Sequence, residues 1–224
     1  MWDRSTWIMN VGILMLALPL LAALLFYAKK ESTRGVLLTK PVLSALFVMT
    51  ALVGTHTNSK YFVLVLSGLL LCMAGDVFLI FISSKKLFLA GLVSFLAGHV
   101  LYSIAFFSMA SPGTLALIVA ALCLVVSGSV FAWLRPHLGT MLGPVFVYMI
   151  VITVMVIGAA SLTENDHLSF AGRALAFSGA VLFYISDIFV ARHRFIRKEY
   201  VNRLAGLPLY YAGQFMIAYS TIVL

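Results

Sequence analysis

The sequence predicts an all-α polytopic transmembrane bundle, and three observations carry that prediction. Hydrophobic residues fill 63% of the 224 positions and charged ones only 10%, with a mean hydropathy of +1.10, far outside the range of water-soluble domains. Apolar runs of about 20 residues, the length needed to cross roughly 30 Å of hydrocarbon, follow one another along nearly the whole chain. Each run is too long and too continuously apolar for a barrel strand, so the backbone hydrogen bonds must close within helices.

Eight spans are expected, at 7–27, 36–53, 61–83, 87–109, 114–133, 141–161, 170–191 and 204–224. The first is kept as a membrane helix rather than a cleaved signal, because Arg4 precedes a run of full spanning length and no small-residue cleavage site clearly ends it. Lys40 and Pro41 open span two, where proline in a first turn is tolerated because its missing N–H would be unpaired anyway. Spans three and four carry Asp76 and His99, span five Cys123, and Pro144-Val145 opens span six much as Pro41-Val42 opens span two. Spans seven and eight carry Asp187 and Gln214. Cys72 and Cys123 both fall inside spans without ligand spacing and read as core filler. Short loops and the lack of a low-complexity linker imply one integral membrane domain over 1–224, whose chemistry is intramembrane.

The two halves echo each other. The stretch 67–80, SGLLLCMAGDVFLI, returns at 178–190 as SGAVLFYISDIFV, matching at Ser67/Ser178, Gly68/Gly179, Leu71/Leu182, Asp76/Asp187 and Phe78/Phe189, with Gly75 replaced by Ser186. LAGLVSFLAGH at 89–99 returns as LAGLPLYYAGQ at 204–214, so His99 is answered by Gln214. Two parallel four-helix repeats, about 1–110 and 111–224, would bring Asp76 and Asp187 to similar depths. Small residues seven apart (Gly68 and Gly75, Gly91 and Gly98, Gly179 and Ser186, Gly206 and Gly213) let backbones approach on one face.

A net charge of +8 would suggest nucleic acid in a soluble protein, but here its placement indicates orientation, and no nucleic-acid partner is expected. Lys29, Lys30, Arg34, Lys85, Lys86, Arg135, Arg192, Arg194, Arg197, Lys198 and Arg203 follow odd-numbered spans, while only Arg4, Lys60 and Arg173 fall on the other side. That bias puts the odd-numbered loops in the cytoplasm and both termini outside or in the lumen. A bacterial inner membrane, or otherwise the endoplasmic reticulum, is the expected location.

An ionisable residue deep in a span costs on the order of 3 kcal/mol, so it normally faces a cavity or a partner. Two at matching places point to one shared site, open toward the cytoplasmic leaflet. Helical spacing adds Tyr184 three before Asp187, Tyr102 three after His99, and Tyr211 three before Gln214. His99 reads equally as a packing histidine, Gln214 as a hydrogen-bonding counterpart, and each would orient one acid. Lys40 either snorkels to the surface or contacts a headgroup phosphate or carboxylate, and Tyr148 reads as interfacial packing. The five histidines show no helical pairing suited to zinc, and no nucleophile elbow, P-loop or dinucleotide fingerprint occurs. No metal or cofactor is therefore expected, which leaves acid–base chemistry by two carboxylates.

Lys40-Pro41, the run Gly75-Asp76-Val77-Phe78-Leu79-Ile80, Gly91-Leu92 leading through Phe95 to His99 and Tyr102, Tyr148, Ser186-Asp187, and Tyr211 with Gln214 together resemble the YhhN-type lysoplasmalogenases. The resemblance runs through essentially all eight spans in order. It implies metal-independent hydrolysis of the vinyl ether bond of a lysoplasmalogen, with Asp76 and Asp187 as the catalytic pair; on the residue reading, a lysophospholipid enters laterally from the membrane lipid, and Lys40, His99, Tyr102, Tyr148, Tyr184, Ser186, Tyr211 and Gln214 are the candidates that bind or orient it. A small proton-coupled transporter accommodates repeats, intramembrane acids and a histidine equally well. An intramembrane aspartyl protease fits worse, because its motif order differs from the one found here.

Overall fold

The computed structural model describes residues 4–224. Residues 1–3, part of the terminus assigned to the far side of the membrane, and the side chain of Arg4 lie outside the described residues. Among the described residues all regular structure is helical: α1 Arg4–Lys29, α2 Thr33–Leu52, α3 Ser59–Phe78, α4 Lys85–Phe107, α5 Thr114–Leu138, α6 Leu142–Leu162, α7 Phe170–Ala191 and α8 Tyr200–Val223. Short 3-10 turns follow α3 and α5, and a π-helical turn, Arg192–Ile196, follows α7.

Side-chain caps set many of these boundaries. Ser32 Oγ accepts from Gly35 N, and Asn58 Oδ1 from Tyr61 N, each satisfying an amide that a helix start leaves orphaned. Glu164, just past α6, accepts from Leu115 N and Ala116 N and so closes the start of α5 from a different helix. The Ser32 cap corrects one sequence expectation. It starts α2 at Thr33, so Pro41 lies inside the helix and not in its first turn.

By length and composition, six helical stretches could cross a membrane: Ser5–Lys29, Thr33–Leu52, Ser59–Phe81, Lys85–Phe107, Thr114–Leu162 and Phe170–Ile196. The fifth contains both α5 and α6. Helix α8 is not among them, because Asn202, Arg203, Gln214 and Tyr200, Tyr210, Tyr211 and Tyr219 dilute its apolar character. Many of these side chains are buried, since α8 packs against α7, α2, α1 and α3. A helix surrounded by protein can carry polar groups that a lipid-facing helix cannot. The exposed apolar side chains belong mostly to the perimeter, among them Met15 and Leu18 on α1 and Leu117, Leu124 and Val125 on α5.

Most of the cationic side chains gather at one end. There the α1–α2 turn meets the α7–α8 turn through Glu31 and Lys198 at 3.0 Å, and Phe195 of the π-helical turn packs edge-on against Phe88 of α4. The opposite end is tied by Asn165 Nδ2 donating to Met109 O at 2.8 Å and by Arg173 donating to Asp166 and to Thr163 O, both at 2.8 Å.

Candidate active site

Asp76 sits in the last turn of α3, toward the basic end, and is 1% exposed. Helix α2 presents Lys40 and Ser44 to it from one face, as residues four apart must lie. Lys40 Nζ is 2.9 Å from Asp76 Oδ1 and donates to the Asp76 carbonyl at 3.2 Å. Ser44 Oγ donates to Oδ2 at 2.6 Å, and Tyr210 OH of α8 donates to the same oxygen at 2.6 Å. One cation and two hydroxyls therefore hold this carboxylate. Behind them, Gln214 Nε2 donates to Tyr210 OH at 3.3 Å while its Oε1 accepts from Tyr102 OH at 2.9 Å. Tyr211 OH lies 3.2 Å from Ser44 Oγ and donates to the Lys40 carbonyl at 3.4 Å.

Asp187, near the end of α7, has a sparser environment. Tyr148 OH of α6 donates to its Oδ2 at 2.5 Å, and no cation pairs with it among the described residues. His99 is fully buried, its ring 5.4 Å from that of Tyr148 and 4.5 Å from that of Phe183, both edge-on. Neither of its nitrogens has a hydrogen-bond partner among the described residues, so it orients neither acid directly. Tyr184 OH bonds Ser127 Oγ at 2.6 Å, and Ser186 Oγ turns back to its own helix, donating to Phe183 O at 2.7 Å. The hydroxyls of these two expected site residues thus hydrogen-bond to neither carboxylate.

Two cavities meet at this point. Asp76, Asp187, Lys40 and Tyr210 line one at the basic end, together with His193, Asn202, Arg203 and many apolar side chains; it is the more polar of the two. An apolar one between α4, α5, α6 and α7 is lined by Leu92, Leu134, Val145, Tyr148, Tyr184 and Asp187 among others. Asp187 is common to both. Ser44 and Tyr210, which hold Asp76, were not legible as site residues. Ser44 left a signal, four residues from Lys40. Tyr210 left none that separates it from its neighbour Tyr211.

Residues 35–221 match the family model of the YhhN family. The chain belongs to the YhhN family. That match takes in Lys40, Asp76, His99, Tyr148, Asp187 and Gln214, along with the residues missed in the sequence. The proteins named lysoplasmalogenase TMEM86A from Bos taurus and from Homo sapiens are similar to it, each 30% identical over 161 residues, covering 69% of this chain. The aligned part is 63% of each relative, so the YhhN chain spans under two thirds of the length of these curated proteins. No solved structure matches.

Proposed function

We propose that this protein is an intramembrane hydrolase that cleaves the vinyl ether bond of lysoplasmalogens, giving a fatty aldehyde and glycerophosphocholine or glycerophosphoethanolamine. The observation that carries the reading is the shared cavity wall: Asp76 and Asp187 line one cavity with Lys40 and Arg203, and Asp187 also lines the adjoining, more apolar one. A single-chain lipid suits this pair of spaces, with its chain among α4 to α7, its glycerophosphate toward the basic end and its ether bond at Asp187. The lysoplasmalogenase relatives support the same reaction class.

A vinyl ether hydrolyses by protonation of its β-carbon. Water adds to the resulting oxocarbenium ion at the carbon next to oxygen, and the hemiacetal collapses to aldehyde and alcohol. One proton donor and one anion are needed. Asp76, held by Lys40, Ser44 and Tyr210, is the anion that stabilises the cation across the cavity. Asp187 has a hydroxyl donor on Oδ2 and no cation. Its other oxygen delivers the proton and recovers one from the attacking water.

The proposed repeat supports this division of roles. Aligned on Pro41 and Pro144, Lys40 and Ser44 are answered by Gly143 and Val147; aligned on Leu89 and Leu204, Tyr210 is answered by Phe95. The donors that hold Asp76 therefore have no repeat-related counterparts able to hold Asp187 in the same way. Eight spans in two parallel four-helix units are part of this reading, with the basic end in the cytoplasm and the site in the cytoplasmic leaflet. Close glycine approaches between α3 and α4 and again between α7 and α8 favour it.

The test is aldehyde release from a lysoplasmalogen by purified protein in detergent. Asp76→Asn and Asp187→Asn should each lower the rate on the order of 10²- to 10⁴-fold. Release at the native rate by either variant would refute the catalytic pair. Substrate-driven proton flux in proteoliposomes without product would identify a transporter instead.

A further inference from the structure

The cavity lined by both aspartates also carries a cation that forms no ion pair among the described residues. At the basic end Glu31 pairs with Lys198 at 3.0 Å, Glu199 with Arg192 at 2.8 Å and Arg197 at 2.9 Å, and Asp76 with Lys40 at 2.9 Å, while Asp187, assigned above as the proton donor, has no cation partner among the described residues. Arg203, in the first turn of α8, lines the cavity beside both aspartates. It is partly buried and forms no ion pair among the described residues. A guanidinium brings five donors in a fixed fork suited to phosphate.

His193 supplies the second observation. It is 8% exposed and lines the same cavity. Its Nδ1 lies 3.2 Å from the Glu199 carbonyl, and since a carbonyl only accepts, Nδ1 carries the proton. Nε2 of the neutral ring is then an acceptor, and it is buried without a partner among the described residues. Asn202, also on this wall, is already engaged: it accepts from Arg192 at 2.5 Å and donates to the Arg197 carbonyl at 2.8 Å.

We propose that Arg203 and His193 form a glycerophosphate subsite, in which Arg203 takes the phosphodiester and His193 Nε2 accepts a hydrogen bond from the free hydroxyl of the glycerol. The assignment rests on the lysolipid reading above and deepens it. Acylation of that hydroxyl would remove the donor, so the pair selects single-chain over two-chain lipids by chemistry as well as by space. Lys40 is excluded from this task because it is committed to Asp76.

Binding to the full-length protein in detergent tests the subsite without turnover, using a saturated 1-O-alkyl glycerophosphocholine, its 2-deoxy analogue, a 1-O-alkylglycerol and free glycerol 3-phosphate. Wild type should prefer the phosphate-bearing lipid over the alkylglycerol on the order of 10- to 100-fold. Arg203→Gln should erase that preference, and Arg203→Lys should keep part of it. His193→Phe should bind the 2-hydroxy and 2-deoxy lipids equally, whereas wild type should favour the hydroxy form several-fold, on the order expected of one hydrogen bond. An unchanged phosphate preference in Arg203→Gln overturns the proposal, as does an equal loss for all ligands in both Arg203 variants. Competition by glycerol 3-phosphate as tight as by the lysolipid would assign the site to a soluble phosphate and overturn the headgroup assignment. Because a saturated ether reports binding alone, failure to cleave vinyl ethers would sink the hydrolase reading and leave this result standing.

Discussion

The Lys40–Asp76 pair is an ion pair placed where water cannot screen it. Both side chains are almost completely buried, and Asp76 has three donors around its two oxygens. The stability it gives over an apolar pair is small, because desolvating both charges offsets their attraction, but removing one partner strands the other. Lys40→Met is therefore expected to lower stability by about 3–5 kcal/mol in a detergent unfolding titration. The double variant with Asp76→Asn should recover most of that loss. Equal destabilisation in single and double variants would mean that Lys40 acts through packing alone. Both acids were legible in the sequence, since a charge inside an apolar run needs a reason. Their partners were less so: which of Tyr210 and Tyr211 reaches Asp76 depends on the rotation of α8 against α3, and adjacent helical residues point about 100° apart. For His99 the sequence left packing and hydrogen bonding open, and its helix phase turns it into an aromatic cluster.

Between α7 and α8, and between α3 and α4, glycines bring backbone against backbone. A Cβ placed on Gly213 would lie 2.7 Å from Gly179 O and 3.1 Å from Phe183 N, and one on Gly98 would lie 3.0 Å from Gly68 O. Backbone atoms cannot swing aside, so α7 and α8 would have to separate along much of their contact. Gly213→Ala should cost about 1–3 kcal/mol and reduce the folded fraction recovered by size-exclusion chromatography. Gly128→Ala on α5, where no atom lies within 4 Å, should be neutral or slightly stabilising, as helix propensity favours alanine by up to about 1 kcal/mol. A pair of equal effects would mean that the glycines are not packing positions. The seven-residue spacing made this face readable in advance. The start of α2 and the low apolarity of α8 were not, because a cap two turns upstream and burial by neighbouring helices both override a span-length count.

At the scale of the whole molecule, charge asymmetry predicts the orientation of the bundle. Lysine and arginine near short loops resist translocation, and the turns after α1, α3, α5 and α7 hold most of them. Ser83, beside Lys85 and Lys86, marks the basic end, and Ser169, at the start of α7, marks the other; both are exposed. Ser83→Cys and Ser169→Cys leave the charge pattern untouched, and the native Cys72 and Cys123 are buried and free, so they contribute little background to labelling. A membrane-impermeant maleimide should label the Ser83 variant only in inside-out vesicles and the Ser169 variant only in right-side-out ones. The reverse result would put the site in the outer leaflet, where the lysolipid would have to enter from the opposite face. Labelling of one variant from both sides would mean that the bundle inserts in two orientations. That outcome would leave the residue-level chemistry intact while removing the argument that places it in the cytoplasmic leaflet.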